Sequence, residues 1–285
     1  MKIHVIETGL FKLDGGAMFG VVPRTMWQKL NPPDENNLCT WAMRCLLVET
    51  DNRRILIDCG MGDKQDAKFR SHFHPHGQDT LLNSLQAKGF SADDITDVFL
   101  THLHFDHCGG ALRYDASGAI VPTFQKATYW SNKKHYDWAF TPNAREAASF
   151  LKENFVPLKE QGVLQFVDLQ ENLELFKGFN IGFVYGHTEA MMLPQLHIGD
   201  KTIIYCADLM PSEHHIGLPY VMGYDMRPLD TMAEKDHYLN QAVEVGNTIF
   251  FYEHSPSAEC ATVRRREDGR LILDKAGLLQ DFLNA

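Results

Sequence analysis

Hydrophobic patterning alternates between strand-like and helix-like along the whole chain. Residues 2–9 alternate apolar with polar, residues 41–49 and 53–58 run apolar, and Asp51-Asn52 supplies a turn between the latter two. This predicts a meander of antiparallel strands in the first third. The period then changes: Leu81, Leu82 and Leu85 recur at helical spacing within residues 77–88, and Gly89 follows as a C-cap. A short buried strand is expected over 95–100, then helices over 131–139 and 143–155. Strands over 164–167, 180–185, 193–198 and 202–207 precede a helix over 229–246 and a strand over 248–252. Strand runs followed by helices, in both halves, predict two sheets packed face to face with helices outside.

Gly and Pro are dispersed and no low-complexity stretch interrupts the pattern, so residues 1–285 read as a single α/β domain. A chain of 285 residues can build a large core. Its hydrophobic fraction of 44% and charged fraction of 22% are those of a globular protein, and no apolar run reaches the ~18 residues of a membrane span. The start, K-I-H-V-I-E-T-G, has the alternation of a strand and not the apolar core of an export signal. Cys39, Cys45, Cys59, Cys108, Cys206 and Cys260 are scattered without a C-x-x-C pair, as expected of reduced thiols in a cytoplasmic protein. Cys108 reads as a small buried packing residue. The net charge of −10 disfavours a nucleic-acid partner, and the one basic run, Arg264-Arg265-Arg266, reads as a solvated strand face ended by Glu267 and Asp268.

Directly after the apolar strand at 95–100 stands T-H-L-H-F-D-H-C-G-G, residues 101–110. His102, His104, Asp106 and His107 fall at i, i+2, i+4 and i+5, a spacing that suits a tight loop leaving a strand, because a regular helix or strand would turn some of them away from a shared centre. Imidazoles with carboxylates are the ligand set of Zn, with Fe, Mn or Co as alternatives, and not of Ca or Mg. Later strands end the same way. F-V-Y-G-His187, I-I-Y-C-A-Asp208 and F-F-Y-E-His254 each place a ligand-type residue where an apolar strand stops. Loops at the strand ends of one rim can converge. Seven candidates exceed one tetrahedral ion and imply two. Of the other histidines, His72, His74 and His76 read as an exposed polar loop, His4, His135, His197 and His237 as structural, and His214 and His215 as within reach of the site.

The motif H102-x-H104-x-D106-H107, followed by His187 in G-H-T, Asp208 and His254, resembles the metallo-β-lactamase-fold hydrolases in order and spacing over residues 41–254. Asp58 and Gly60 in L-I-D-C-G resemble the short acidic motif of that superfamily, which steadies the metal loops. The resemblance implies an αββα sandwich of two mixed sheets flanked by helices. It implies that His102, His104 and His187 hold one metal, that Asp106, His107 and His254 hold the other, and that Asp208 bridges them. Two such ions can share a hydroxide at neutral pH, with Asp106, His107 and Asp208 as the catalytic set and Asp106 also shuttling a proton to the leaving group. The usual G-H-T-P-G is G-H-T-Glu189-Ala190 here, and Glu253 precedes the last ligand.

Within the superfamily, the acidic charge argues against RNA processing, and Asp208 stands where the commonest dizinc β-lactamases carry Cys. Only 31 residues follow His254, too few for the C-terminal helical domain of hydroxyacylglutathione hydrolases. The segment D-G-G-A-M-F-G-V-V-P, residues 14–23, resembles the corresponding part of quorum-quenching N-acyl homoserine lactonases and their methyl parathion hydrolase-like relatives. The expected function is therefore a metal-dependent hydrolase that opens lactones, with phosphotriesters or other esters and thioesters as the alternative and a metal-binding interaction module as the non-enzymatic one. The expected partner is a small molecule, with a homodimer admitted and no membrane. Met18, Phe19, Val21 and Trp27, in a Gly-hinged apolar loop, are expected to wall the acyl chain. Lactonases place a Tyr where Pro211 stands; His214, His215, Tyr220 or Tyr224 would have to replace it.

Overall fold

A computed structural model describes residues 1–50 and 52–284, so Asp51 of the expected Asp51-Asn52 turn lies outside the described residues. Two compact units form, the first from residues 1–11 and 43–170 and the second from 12–42 and 171–285.

The sheet of the first unit is built on strands β1 (Lys2–Asp14), β2 (Leu38–Glu49), β3 (Arg54–Ile57) and β4 (Asp97–Phe99). A small antiparallel pair, β5 (Leu112–Tyr114) and β6 (Ile120–Pro122), stands apart, and β7 (Thr128–Asn132) and β8 (Leu164–Val167) complete the sheet in the order β1-β2-β3-β4-β7-β8. β2 and β3 are antiparallel; β3, β4, β7 and β8 run parallel to one another. The parallel strands carry continuous apolar runs because both their faces are covered: Ile55, Leu56, Ile57, Val98 and Phe99 are all buried. Their register sets Ile57 opposite Phe99, so that Asp58 and the residues after Phe99 leave the sheet side by side at one rim.

Helix boundaries follow local capping more closely than apolar spacing. The helix expected over 77–88 is confined to Leu81–Ala87, because Thr80 accepts the Asn83 N–H at 3.3 Å as N-cap and Gly77 has φ +92°. The one expected over 131–139 is Lys133–Phe140, with Asn132 as N-cap at the end of β7. No helix spans 143–155. Asn143 turns the chain by accepting the N–H groups of Arg145 and Glu146, only a short 3₁₀ turn forms at Lys152–Asn154, and Pro157 opens a new helix, Val156–Glu160. His72 lies on a helix, Ala67–Phe73, capped by Asp66, where a polar loop was expected.

In the second unit β9 (Leu173–Phe176), β10 (Phe179–Val184), β11 (Met191–Ile198), β12 (Lys201–Tyr205), β13 (Thr248–Phe251), β14 (Cys260–Arg265) and β15 (Leu271–Gly277) form one sheet in reverse chain order. Neighbours are antiparallel except β12 and β13, which the helix Pro228–Val245 connects as a parallel pair. Tyr205 lies opposite Phe251, so the segments bearing Asp208 and His254 leave at the same level. Residues 14–20, expected as a Gly-hinged loop, contain a short helix, Gly15–Phe19. Asp14 caps it by accepting the Ala17 N–H at 2.8 Å, and a Cβ on Gly15 would come within 2.4 Å of the Trp27 ring. Among the described residues no helix is long and apolar enough to cross a membrane.

Candidate metal centre

Asp58 organises the rim of the first unit. Its φ of +58° breaks β3, and its carboxylate accepts the Thr101 N–H at 2.8 Å and the Thr101 hydroxyl at 2.7 Å. The same Oδ2 lies 3.2 Å from His107 Nδ1. Cys59 N–H donates to the His107 carbonyl at 2.7 Å, which locks the loop 58–62 against the loop 101–110. Gly109 and Gly110 allow this approach. A Cβ there would stand 2.0 Å from Met61 O and 2.2 Å from Cys59 O, a backbone clash that no side chain survives. Cys108 is buried in the core, its thiol donates to Leu103 O at 3.3 Å, and burial pushes that thiol up to about 12. It is a packing residue. His135 is likewise structural, accepting the Leu103 N–H at 2.9 Å.

The outer nitrogens of the histidines in this rim are engaged by the protein. Thr101 gives its hydroxyl proton to Asp58 and stands 3.1 Å from His102 Nδ1, so Nδ1 is the donor and Nε2 carries the lone pair. His104 Nε2 lies 3.2 Å from Glu146 Oε1, which assigns the lone pair of His104 to Nδ1. Those two lone-pair nitrogens, His102 Nε2 and His104 Nδ1, face one another at 3.0 Å. Such a pair repels unless a proton or a metal ion sits between or beside it. Asp106, with Oδ2 3.9 Å from His107 Nε2, completes the rim, and all four side chains are buried. Glu146 is itself held by Trp138 Nε1 at 2.7 Å and Asn143 Nδ2 at 3.2 Å.

The rim of the second unit has the same logic. Asp208 lies in a 3₁₀ turn after β12, entered through Ala207 at φ +41°. Its two oxygens face two imidazoles: Oδ2 is 3.0 Å from His187 Nε2 and Oδ1 is 3.1 Å from His254 Nε2. Behind them, His187 Nδ1 meets Asp225 Oδ1 at 2.9 Å and His254 Nδ1 donates to Ala42 O at 2.7 Å. Burial alone would lower the His187 pKa, but Asp208 and Asp225 on either side hold it at about 10. A position that retains a proton this firmly is one where negative charge is concentrated, as cation binding requires. The turn between His187 and β11 departs from the usual sequence at Ala190, which adopts φ +52°, and at Glu189, which pairs with Arg227. Glu253 is buried and accepts the Tyr205 hydroxyl at 2.7 Å.

Of the residues expected to wall a substrate, Met18, Phe19, Trp27 and His215 are buried in packing of their own. Phe19 stacks on Trp27 at 5.4 Å and on His215 at 4.9 Å, with Tyr220 edge-on at 6.3 Å. His215 uses both nitrogens, Nδ1 with Ser212 Oγ at 2.8 Å and Nε2 with Met18 O at 3.0 Å. Val21 is 87% exposed, Tyr224 is 38% exposed, and His214 lies 3.5 Å from Glu213. Pro211, at the position of the lactonase Tyr, accepts the His254 N–H through its carbonyl. Sequence reasoning missed Thr101, which adjoins His102, and Glu146 and Asp225, whose relation to the histidines is tertiary. It also missed Phe69 and Phe73. Spaced i, i+4 on their helix, these pack around Phe105 at 5.1 and 4.5 Å, half-buried, against the loop that holds His104 and Asp106.

Residues 44–254 match the family model of the metallo-beta-lactamase superfamily, and the chain belongs to that superfamily of metallo-hydrolases. Its fold is the mixed α/β fold of that family, with sheets flanked by helices, and the family binds divalent metals, typically zinc. The N-acyl homoserine lactonase of Bacillus thuringiensis is 35% identical over 272 residues, 90% of this chain and 94% of that one. A more distant match, to the lactonase of Bacillus sp, spans 66% of either chain. A probable metal-dependent hydrolase from Staphylococcus aureus superposes with TM-score 0.85 at 24% identity, covering 97% of this chain and 96% of that chain. AidC, a dizinc quorum-quenching lactonase solved with a product, superposes with TM-score 0.77 at 23% identity, covering 95% and 93%. These two likenesses show the fold.

Proposed function

We propose that the chain is a dinuclear metal-dependent hydrolase that opens lactones of the N-acyl homoserine class. One observation carries the metal reading. Each of the five histidines is anchored through its outer nitrogen, to Thr101, Glu146, Asp58, Asp225 or the Ala42 carbonyl, so that the other nitrogen is aimed inward, where a bound cation would take the place of any proton it carries. The donor set suits zinc, being imidazole with two carboxylates, Asp106 and Asp208. His102, His104 and His187 would hold one ion, Asp106, His107 and His254 the second, and Asp208 both. The ions supply a nucleophile at neutral pH and a Lewis acid for the ester carbonyl. Asp106, on the helix Phe105–Cys108, would carry a proton to the departing alkoxide, and the three outer carboxylates Asp58, Glu146 and Asp225 would hold their imidazoles in one tautomer throughout.

The lactone reading rests on the relatives and on an apolar surface beside the ligand loop. Since Met18, Phe19 and Trp27 are buried and Phe19 stacks on Trp27, the acyl chain is assigned to the half-open Phe69, Phe73 and Phe105 cluster. Each CH₂ buried there contributes about 0.8 kcal/mol. To test both readings, metal content is measured on protein purified without chelator, and proton release is followed across lactones of increasing tail length, a phosphotriester and a glutathione thioester. About two ions per chain and a KM that falls with tail length are expected. Full activity with one ion would remove the dinuclear reading. Phosphotriester turnover far above every lactone would assign the enzyme to that alternative.

A further inference from the structure

The helix Pro228–Val245 buries one stripe, Thr231, Lys235, Tyr238, Leu239 and Ala242, and Lys235 is fully buried where an apolar residue would ordinarily stand. A buried ammonium is costly unless its protons are satisfied. Here Nζ donates to the carbonyls of Tyr220 at 2.8 Å, Gly217 at 2.9 Å and Leu218 at 3.4 Å. Burial pushes Lys235 down to about 7 while Asp225 pulls the other way, and the ammonium and the amine can both donate to these carbonyls. The preceding residue, Glu234, is its mirror image: its carboxylate accepts the N–H groups of Tyr185 at 2.6 Å and Gly186 at 3.0 Å. An anion takes amide protons from the segment entering His187, and a cation takes carbonyls from the segment leading to Asp225.

These segments meet at the candidate ligand. Met222 N–H donates to Asp225 Oδ2 at 3.2 Å, Met226 N–H to the His187 carbonyl at 3.1 Å, and Arg227 N–H to the Gly186 carbonyl at 2.8 Å. A Cβ on Gly186 would lie 2.3 Å from Thr231 N, so the His187 turn is also seated directly on the first part of this helix. We propose that Glu234 and Lys235 are positioning residues that clamp the 185–187 and 217–225 segments onto the helix and thereby set the Asp225–His187 pair for metal binding. The inference rests on the metal reading above, and it goes beyond it by assigning two residues that touch neither metal nor substrate.

The test uses the full chain, with zinc as the probe. Zinc affinity is measured by competition with a chromophoric chelator, and amide hydrogen exchange is followed at residues 183–188 and 217–225. The variants are Lys235→Met, Glu234→Gln, Asp225→Asn and the double variant Lys235→Met/Asp225→Asn. Lys201→Met, whose ammonium otherwise caps the helix Leu279–Asn284 through Phe282 O, is the control for a lost lysine tether. Lys235→Met and Glu234→Gln are expected to weaken zinc by about tenfold, the scale of losing an outer partner of a ligand. They should also speed exchange in their own segments, with a double variant little worse than Asp225→Asn alone. Lys201→Met should change neither readout. Should Lys235→Met fail to fold, Glu234→Gln alone decides, because it keeps one of the two bonds. Wild-type zinc affinity together with wild-type exchange in both segments would overturn the clamp. A wild-type chain that binds no zinc would overturn the metal reading, and the exchange data would still judge whether the two residues hold these segments.

Discussion

His215 makes the protein acid-labile in a way that can be isolated. The ring is fully buried, stacked on Phe19, and the neutral imidazole satisfies both its partners, donating to Met18 O and accepting from the Ser212 hydroxyl. Burial pushes its pKa down to about 3, opposed by the Met18 carbonyl. In the unfolded chain it titrates near 6.5. Between these values the unfolded state binds a proton that the folded state refuses, so stability is fully present above pH 6.5 and is lost as pH falls towards 3. From pH 7 to pH 5 the loss from this ring is about 2 kcal/mol, at 1.4 kcal/mol per pH unit below 6.5. Urea unfolding at the two pH values should show it as a difference between wild type and His215→Gln, whose amide can still donate to Met18 O but does not titrate. The variant starts less stable at pH 7, by about 1–3 kcal/mol. Its further loss on going to pH 5 should be about 2 kcal/mol smaller than that of wild type. Subtracting one protein from the other removes acid effects on the metal ligands, which both share. Equal losses would refute the neutral, buried assignment.

Asp208→Ala should release metal and abolish turnover together while the far-ultraviolet dichroism stays near that of wild type; Cys206→Ala, a buried thiol close by, should stay active. Stripping metal with a chelator should lower the thermal midpoint, and readdition of zinc should restore it, read by scanning calorimetry at fixed protein concentration. Phe69→Ala or Phe73→Ala should raise KM for long-tailed lactones by about tenfold and leave short ones nearly unchanged, because about 1–2 kcal/mol of tail burial is removed. Ala190→Gly relieves a left-handed residue worth about 1–3 kcal/mol but adds unfolded-state entropy worth about 0.4–1 kcal/mol, so urea unfolding should show a small net gain.

The candidate metal ligands were legible as a group because the chemistry restricts such residues to His and Asp and the fold sets them where apolar strands stop. Asp208 and His254 stand out for both reasons at once. Their supports were not legible: Glu146 acts on His104 from 42 residues away and Asp225 on His187 from 38, distances over which spacing carries no signal. The helix expected over 143–155 did not form: Asn143 caps only a turn through the Arg145 and Glu146 N–H groups, and Pro157 starts the next helix afresh. Phe69 and Phe73 did leave a trace, an i, i+4 aromatic pair, but the neighbouring His72, His74 and His76 made the segment look like a polar loop. Met18 and Phe19 are buried, and an apolar segment between glycines reads equally well as a binding wall and as core.

The glycine pair after the ligand loop has a consequence for how such a protein can diversify. Gly109 and Gly110 lie in backbone contact with residues 59–61, so the chain admits no side chain at either position directly after the stretch that bears His102 to His107. The helix Ala67–Phe73 is joined to that loop by Arg70, which donates to the Gly62 carbonyl, and by phenyl rings that can be exchanged one for another. Inherited variation can therefore accumulate on the aromatic wall while the ligand loop stays fixed. On the proposed reading, reaction type and substrate preference would be separately heritable traits, and descendants of one such gene would change what they hydrolyse without passing through a form that has lost its metals.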